Sequence, residues 1–176
     1  MQKQIVNPFE LKTYPDTCLR IKTLDVEDFT DETRRMVNAM AELMYKSQGC
    51  GLAATQVGLD LSIVIIDIGE GLRAFINPRV LKRSQEKDTM EEGCLSLPGI
   101  GVNVTRSAEI EISAKDQNGN IIDGKFEGMA AKAIQHEIDH LRGKLIIDYM
   151  NPFARFISAF KFKRQMRKKQ SVDTIL

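Results

Sequence analysis

Apolar residues recur along this chain with two different periods, and each change of period marks an element. From Asp31 to Gln48 the hydrophobic positions Met36, Val37, Met40, Leu43 and Met44 fall three and four apart, which puts them on one face of a helix. Thr30 or Asp31 supplies its N-cap, Glu32 sits in its first turn, and Gly49 is its stop signal. Leu61 to Ile68 is a β-branched run that predicts a buried strand. A second run, Arg73 to Asn77, ends where Pro78 removes a backbone donor. Glu109 to Ala114 alternates polar and apolar residues as a half-buried strand does, and Asn118-Gly119 turns it into Ile121-Ile122. Met129 to Arg142 returns to helical spacing, with Ile134, Ile138 and Leu141 on one face and Gly143 as the stop. Asn151-Pro152 opens a last helix striped by Phe153, Phe156, Ile157 and Phe160. Strands set between helices without regular alternation predict an α+β fold.

No repeat, low-complexity linker or domain boundary interrupts this pattern, so residues 1–176 are expected to form a single domain. With 43% hydrophobic and 28% charged residues the composition excludes disordered and fibrous classes. No apolar run approaches the roughly 20 residues of a membrane helix, and the first twenty residues lack a signal peptide's apolar segment. The expected location is the cytoplasm, with no membrane partner. Three cysteines, Cys18, Cys50 and Cys94, then read as free thiols or metal ligands. The net charge of +1 hides an asymmetry: residues 151–176 carry Arg155, Lys161, Lys163, Arg164, Arg167, Lys168 and Lys169 against Asp173 alone. That basic helix and tail, +6 against −5 for the rest, is an electrostatic interaction segment and makes the ribosome a candidate partner.

The chemistry concentrates on one helix. His136 and His140, the chain's two histidines, lie four apart on the face opposite Ile134 and Ile138, so both rings can reach one ion. Glu137 is rotated off that direction and can hold a proton beside it without ligating. A catalytic metal site takes three protein ligands, and the third must be Cys, Asp or Glu. Cys94 is the best candidate, in Glu92-Gly93-Cys94-Leu95-Ser96, where small neighbours leave a thiolate and the Leu95 N–H accessible. A small metallopeptidase with a carboxylate ligand, Asp148 or Asp173, is the rival enzyme reading, and a structural metal cross-link the non-enzymatic one. The segment from Gly49 to Gln56 allows close approach to a ligand and ends in an amide that both donates and accepts.

In order, Gly-Cys-Gly-Leu-Ala-Ala-Thr-Gln, Glu-Gly-Cys-Leu-Ser and Gln-His-Glu-Ile-Asp-His resemble the three motifs of the peptide deformylases, and the likeness runs from Leu19-Arg20 to Asp148. The resemblance implies an α+β fold, with antiparallel or mixed sheets around a central metal-binding helix and with N- and C-terminal helices. It implies removal of the formyl group from the formylmethionine of nascent polypeptides. It also implies one Fe²⁺, replaceable by Zn²⁺, Ni²⁺ or Co²⁺, on Cys94, His136 and His140, with Glu137 as base and acid and Gln56 and the Leu95 N–H on the oxyanion. Gly49, Cys50, Gly51 and Gly93 would face the substrate, and Met90 and Met129 would line its methionine pocket or belong to the core. Cys50 departs from the family's usual aliphatic residue. Arg106 and Asp139 are expected to pair in support of the ligand helix.

Overall fold

The computed structural model describes residues 8–159 and Phe162. Helix α1 spans Asp31–Lys46, and Thr30 Oγ1 accepts the Glu32 N–H at its start. Its buried face is Val37, Met40, Ala41 and Met44. The helix ends two residues before the expected limit, and the left-handed residue is Gln48 at φ 56° rather than Gly49. Gly49 is small for a different reason: a Cβ there would meet Leu95 Cδ1 at 2.6 Å.

Five strands form one antiparallel sheet in the order β1-β2-β3-β6-β7: β1 Gly51–Ala53, β2 Ile63–Ile66, β3 Arg73–Arg83, β6 Glu109–Lys115 and β7 Ile121–Glu127. Strands β4 (Lys87–Glu92) and β5 (Val102–Ser107) pair separately as a two-stranded sheet. The hairpin at Asn118-Gly119 is as expected, with Gly119 at φ 86°. Two of the expected strands need correction as well. The run at 61–68 is a strand only over Ile63–Ile66, because Leu61 pairs in a parallel bridge with Leu24. Pro78 does not end β3. The β3–β6 register shifts between Ile76 and Arg79, so the proline falls where no ladder donor is required. Asn77, at φ 54°, turns its amide out of the sheet to accept the Val26 N–H at 2.8 Å and donate to the Val26 carbonyl at 2.9 Å.

Helix α2 spans Gly128–His140 and lies on one face of the five-stranded sheet, where Ile134, Ile138 and Leu141 pack with Val64, Ile66, Phe75, Ile110, Ile112 and Phe126. Helix α1 covers the other face, against Leu52, Ile63, Ile65 and Ile76. At about 1.5–3 kcal/mol for each large side chain fully buried, this packing holds both helices against the sheet. A third cluster, Leu19, Leu97, Val102, Val104, Leu145, Ile146 and Ile147, packs with the residues around Cys94. The result is the α+β architecture expected, a helix on each side of an antiparallel sheet. Residues 152–159 are helical, and Phe162 is buried edge-to-face on Tyr14. Phe160 and all the basic residues expected beyond Arg155 lie outside the described residues.

Candidate metal centre and its cleft

The apolar face of α2 points to the sheet, so the opposite face presents His136 and His140 with ring centroids 5.1 Å apart. Cys94 comes from the turn after β4, and Leu97 N–H donates to its carbonyl at 2.9 Å to close that turn. One ligand atom from each of Cys94, His136 and His140 lies within 4.8 Å of the others. Cys94 Sγ is 3.2 Å from His140 Nε2. His136 Nδ1 is bonded to Glu92 Oε2 at 2.9 Å, which leaves its Nε2 lone pair for an ion. The soft thiolate and two imidazoles fit Fe²⁺ or Zn²⁺.

Glu137 is 5% exposed, and its Oε2 has no hydrogen-bond partner among the described residues. Burial raises its pKa to about 7, despite the opposing charges of His136 and Arg106. Glu137 lines the same cleft as Cys94 and His136, and its orphaned oxygen fits a proton carrier for a solvent molecule there. Gly51 makes room for it, since a Cβ there would lie 2.4 Å from Glu137 Oε1. Burial acts against a charged His136, but its bonds to Cys94 and Glu92 raise its pKa well above the usual value; burial and the His136 charge lower that of His140.

Gln56 is buried near the sulfur. Its Oε1 accepts the Ala53 N–H at 2.8 Å, and its Nε2 donates to Ser96 Oγ at 3.1 Å and faces Cys94 Sγ at 3.7 Å. Around these groups opens a cavity of about 410 Å³ whose walls include Gly49, Cys50, Gly51, Gln56, Met90, Gly93, Cys94, Leu95, Met129, His136 and Glu137. The sequence-derived substrate and catalytic residues are therefore brought to one place, together with ligands His136 and Cys94. Gln48, Glu91, Glu92, Lys132 and Ala133 complete the walls without having been anticipated.

The expected Arg106–Asp139 contact is present, Nη1 to Oδ2 at 2.8 Å. Sequence reasoning missed that Glu92 stands between this pair and the metal ligands. The guanidinium binds both Glu92 oxygens, and burial notwithstanding, His136 and Arg106 hold the Glu92 pKa below the ordinary carboxylate value. The available signal was spacing. Met90 and Glu92 alternate along β4, so an acid two residues before Cys94 faces inward with Met90.

Three convergent ligand atoms, a buried carboxylic acid and a cleft with apolar and amide walls define a hydrolase of the mononuclear-metal class. The polypeptide deformylase family profile matches residues 8–156. Similar proteins include the peptide deformylase of Psychrobacter arcticus, 40% identical over 90% of this chain and 89% of that one. That of Pseudomonas aeruginosa is 40% identical over 88% of this chain and 94% of that one. Among solved structures, a peptide deformylase from Legionella pneumophila superposes with TM-score 0.87 at 33% identity, covering 92% of this chain and 97% of that one. The enzyme of Ehrlichia chaffeensis in complex with actinonin gives 0.88 at 36%, covering 90% and 98%. The chain belongs to the polypeptide deformylase family, whose activity is metal-dependent removal of formyl groups.

Proposed function

We propose that residues 1–176 act as one catalytic domain that hydrolyses the formyl amide of N-formylmethionyl nascent polypeptides, releasing formate, in the cytoplasm. Cys94, His136 and His140 would hold the ion, natively Fe²⁺, with Zn²⁺, Ni²⁺ or Co²⁺ able to replace it. Once bound, such an ion supplies Lewis acidity and makes water nucleophilic near neutral pH. Glu137 takes the proton of the attacking water and returns one to the leaving amine. The Gln56 amide and the Leu95 N–H donate to the carbonyl oxygen as it gains charge, a contribution of about 3 kcal/mol per donor. Met90 and Met129 receive the methionine side chain, where thioethers suit a thioether. Gly49, Cys50, Gly51 and Gly93 let the peptide backbone approach. A formyl carbon bears only hydrogen and enters where larger acyl groups are stopped.

The observation that carries this reading is the buried Glu137 carboxyl in the cleft that Cys94 and His136 also line, with His140 completing the candidate ligand group. The metallopeptidase alternative is not favoured. Its carboxylate candidate Asp148 is engaged by Arg20 and by the Leu145 N–H at 2.8 Å, and Asp173 lies outside the described residues. Formate release from a formyl-Met peptide should fall at least ~100-fold in Glu137→Ala. Equal rates for the two proteins, or turnover of unformylated peptides only, would overturn the proposal. The basic segment 161–176 would hold the enzyme near ribosomal phosphates. Deleting it should abolish ribosome co-sedimentation at low salt, and unchanged co-sedimentation removes that role.

A further inference from the structure

Behind the His136 ring lies a chain of buried and half-buried polar groups that the reaction itself does not use. His136 Nδ1–H donates to Glu92 Oε2 at 2.9 Å. Glu92 in turn accepts both faces of the Arg106 fork, with Nη2 on Oε2 at 2.9 Å. The two side chains are 7% and 4% exposed. Arg106 Nη1 donates to Asp139 Oδ2 at 2.8 Å, and the Tyr149 hydroxyl donates to the same oxygen at 2.7 Å. The Tyr149 ring is flanked by cations, with Lys144 Nζ 3.6 Å and Arg106 Cζ 5.3 Å from its centroid. Asp139 lies on α2 between the two ligand histidines, whereas Tyr149 ends the 3₁₀ turn Ile146–Tyr149.

The order of these contacts has a mechanical consequence. An imidazole ligand must keep one nitrogen protonated toward its outer partner so that the other offers its lone pair. Glu92 performs that task only while its carboxylate stays in one plane, and a guanidinium fork fixes such a plane where an ammonium would not. The fork is itself oriented by the Asp139 oxygen on Nη1. That oxygen is held by two donors, one of them the Tyr149 hydroxyl. We infer that Asp139 and Tyr149 are positioning residues for the metal centre, acting through Arg106 and Glu92 to fix the His136 imidazole. This rests on the deformylase reading above.

Cobalt-loaded full-length protein provides the test, through its visible spectrum and the rate at which a chelator removes the metal. Tyr149→Phe keeps the ring against its cations and deletes only the hydroxyl, which donates to Asp139 and accepts from Arg106 Nη1 at 3.4 Å. It should speed cobalt loss about 3-fold and shift the ligand-field bands, and Asp139→Asn should speed loss about 10-fold. In Arg106→Lys the charge survives and the fork does not, so release should still accelerate about 10-fold. Melting temperatures of the metal-free proteins separate this from general loosening: a cluster that only stabilises the fold lowers them without changing release or spectrum. Release rates and bands unchanged in both Tyr149→Phe and Asp139→Asn overturn the inference. Wild type lacking a sulfur-to-cobalt band, or keeping it after Cys94→Ser, overturns the metal assignment as well, so the two failures are distinguishable.

Discussion

A single methyl group added at Gly51 would put a Cβ 2.4 Å from Glu137 Oε1, whereas at Gly93 it would meet nothing within 4 Å. Both glycines line the same cleft, so the pair separates backbone access from room for the carboxylate. Because the displaced atom is the tip of a side chain, Gly51→Ala should fold and keep its melting temperature within a few degrees. Moving the carboxylate proposed as proton carrier by about an ångström should cost about 100-fold in kcat. Gly93→Ala should keep kcat near wild type, with any loss of peptide access appearing in KM, and comparable kcat values for the two variants would refute this account of Gly51. Much of this site was legible because its residues announce their chemistry. His136 and His140 are the chain's two histidines, and Cys94 sits among small residues. Glu92 was marked only by its spacing from Met90 and Cys94, and a lone acid in a charged strand looks solvated until its partners Arg106 and His136 are placed in space.

Elements were legible where one face is apolar and the other wet, as in α1, α2 and the β6–β7 hairpin. They were obscure where the pattern is polar: β4 reads Lys-Asp-Thr-Met-Glu-Glu, and its one fully buried side chain is the Glu92 carboxylate. No hydrophobic period could reveal that strand. The same holds for the clasp that joins the 3₁₀ turns Thr17–Arg20 and Ile146–Tyr149 across the chain. Asp148 binds Arg20 through both oxygens, accepts the Leu145 N–H and lies 3.2 Å from Arg155 Nη1. Burial works against the Asp148 charge, but Arg20 and the Leu145 N–H win and hold its pKa below the ordinary value. A lowered folded-state pKa means stability that is present above the unfolded value, near 3.9, and lost as pH falls through the folded one. Asp148→Asn should therefore be less stable than wild type by about 1–3 kcal/mol at pH 7, and the gap should close below about pH 4. Denaturant melts at pH 7 and pH 3 measure it, and an equal gap at both values rules out the ionised clasp.

On the scale of the whole molecule, the candidate metal ligands come from two separately packed parts. His136 and His140 ride on α2, fixed to the five-stranded sheet, while Cys94 packs with the cluster that includes Leu19, Leu97 and Leu145. An ion gripped by all three joins those two cores as a cross-link would, and it binds only the folded chain with this geometry. Linkage then gives about 4 kcal/mol of stabilisation when free metal exceeds Kd a thousandfold. A chain of this length gains about 2–4 °C in Tm per kcal/mol, so loading should raise the melting temperature by about 8–16 °C. Removing one ligand should erase most of that increment, because the remaining histidines share one helix and no longer tie the two cores together. Scanning calorimetry on loaded and chelated protein, for wild type and Cys94→Ser, makes the comparison. Equal melting temperatures for loaded and chelated wild type, or an undiminished increment in Cys94→Ser, would mean that the sulfur does not bridge the cores.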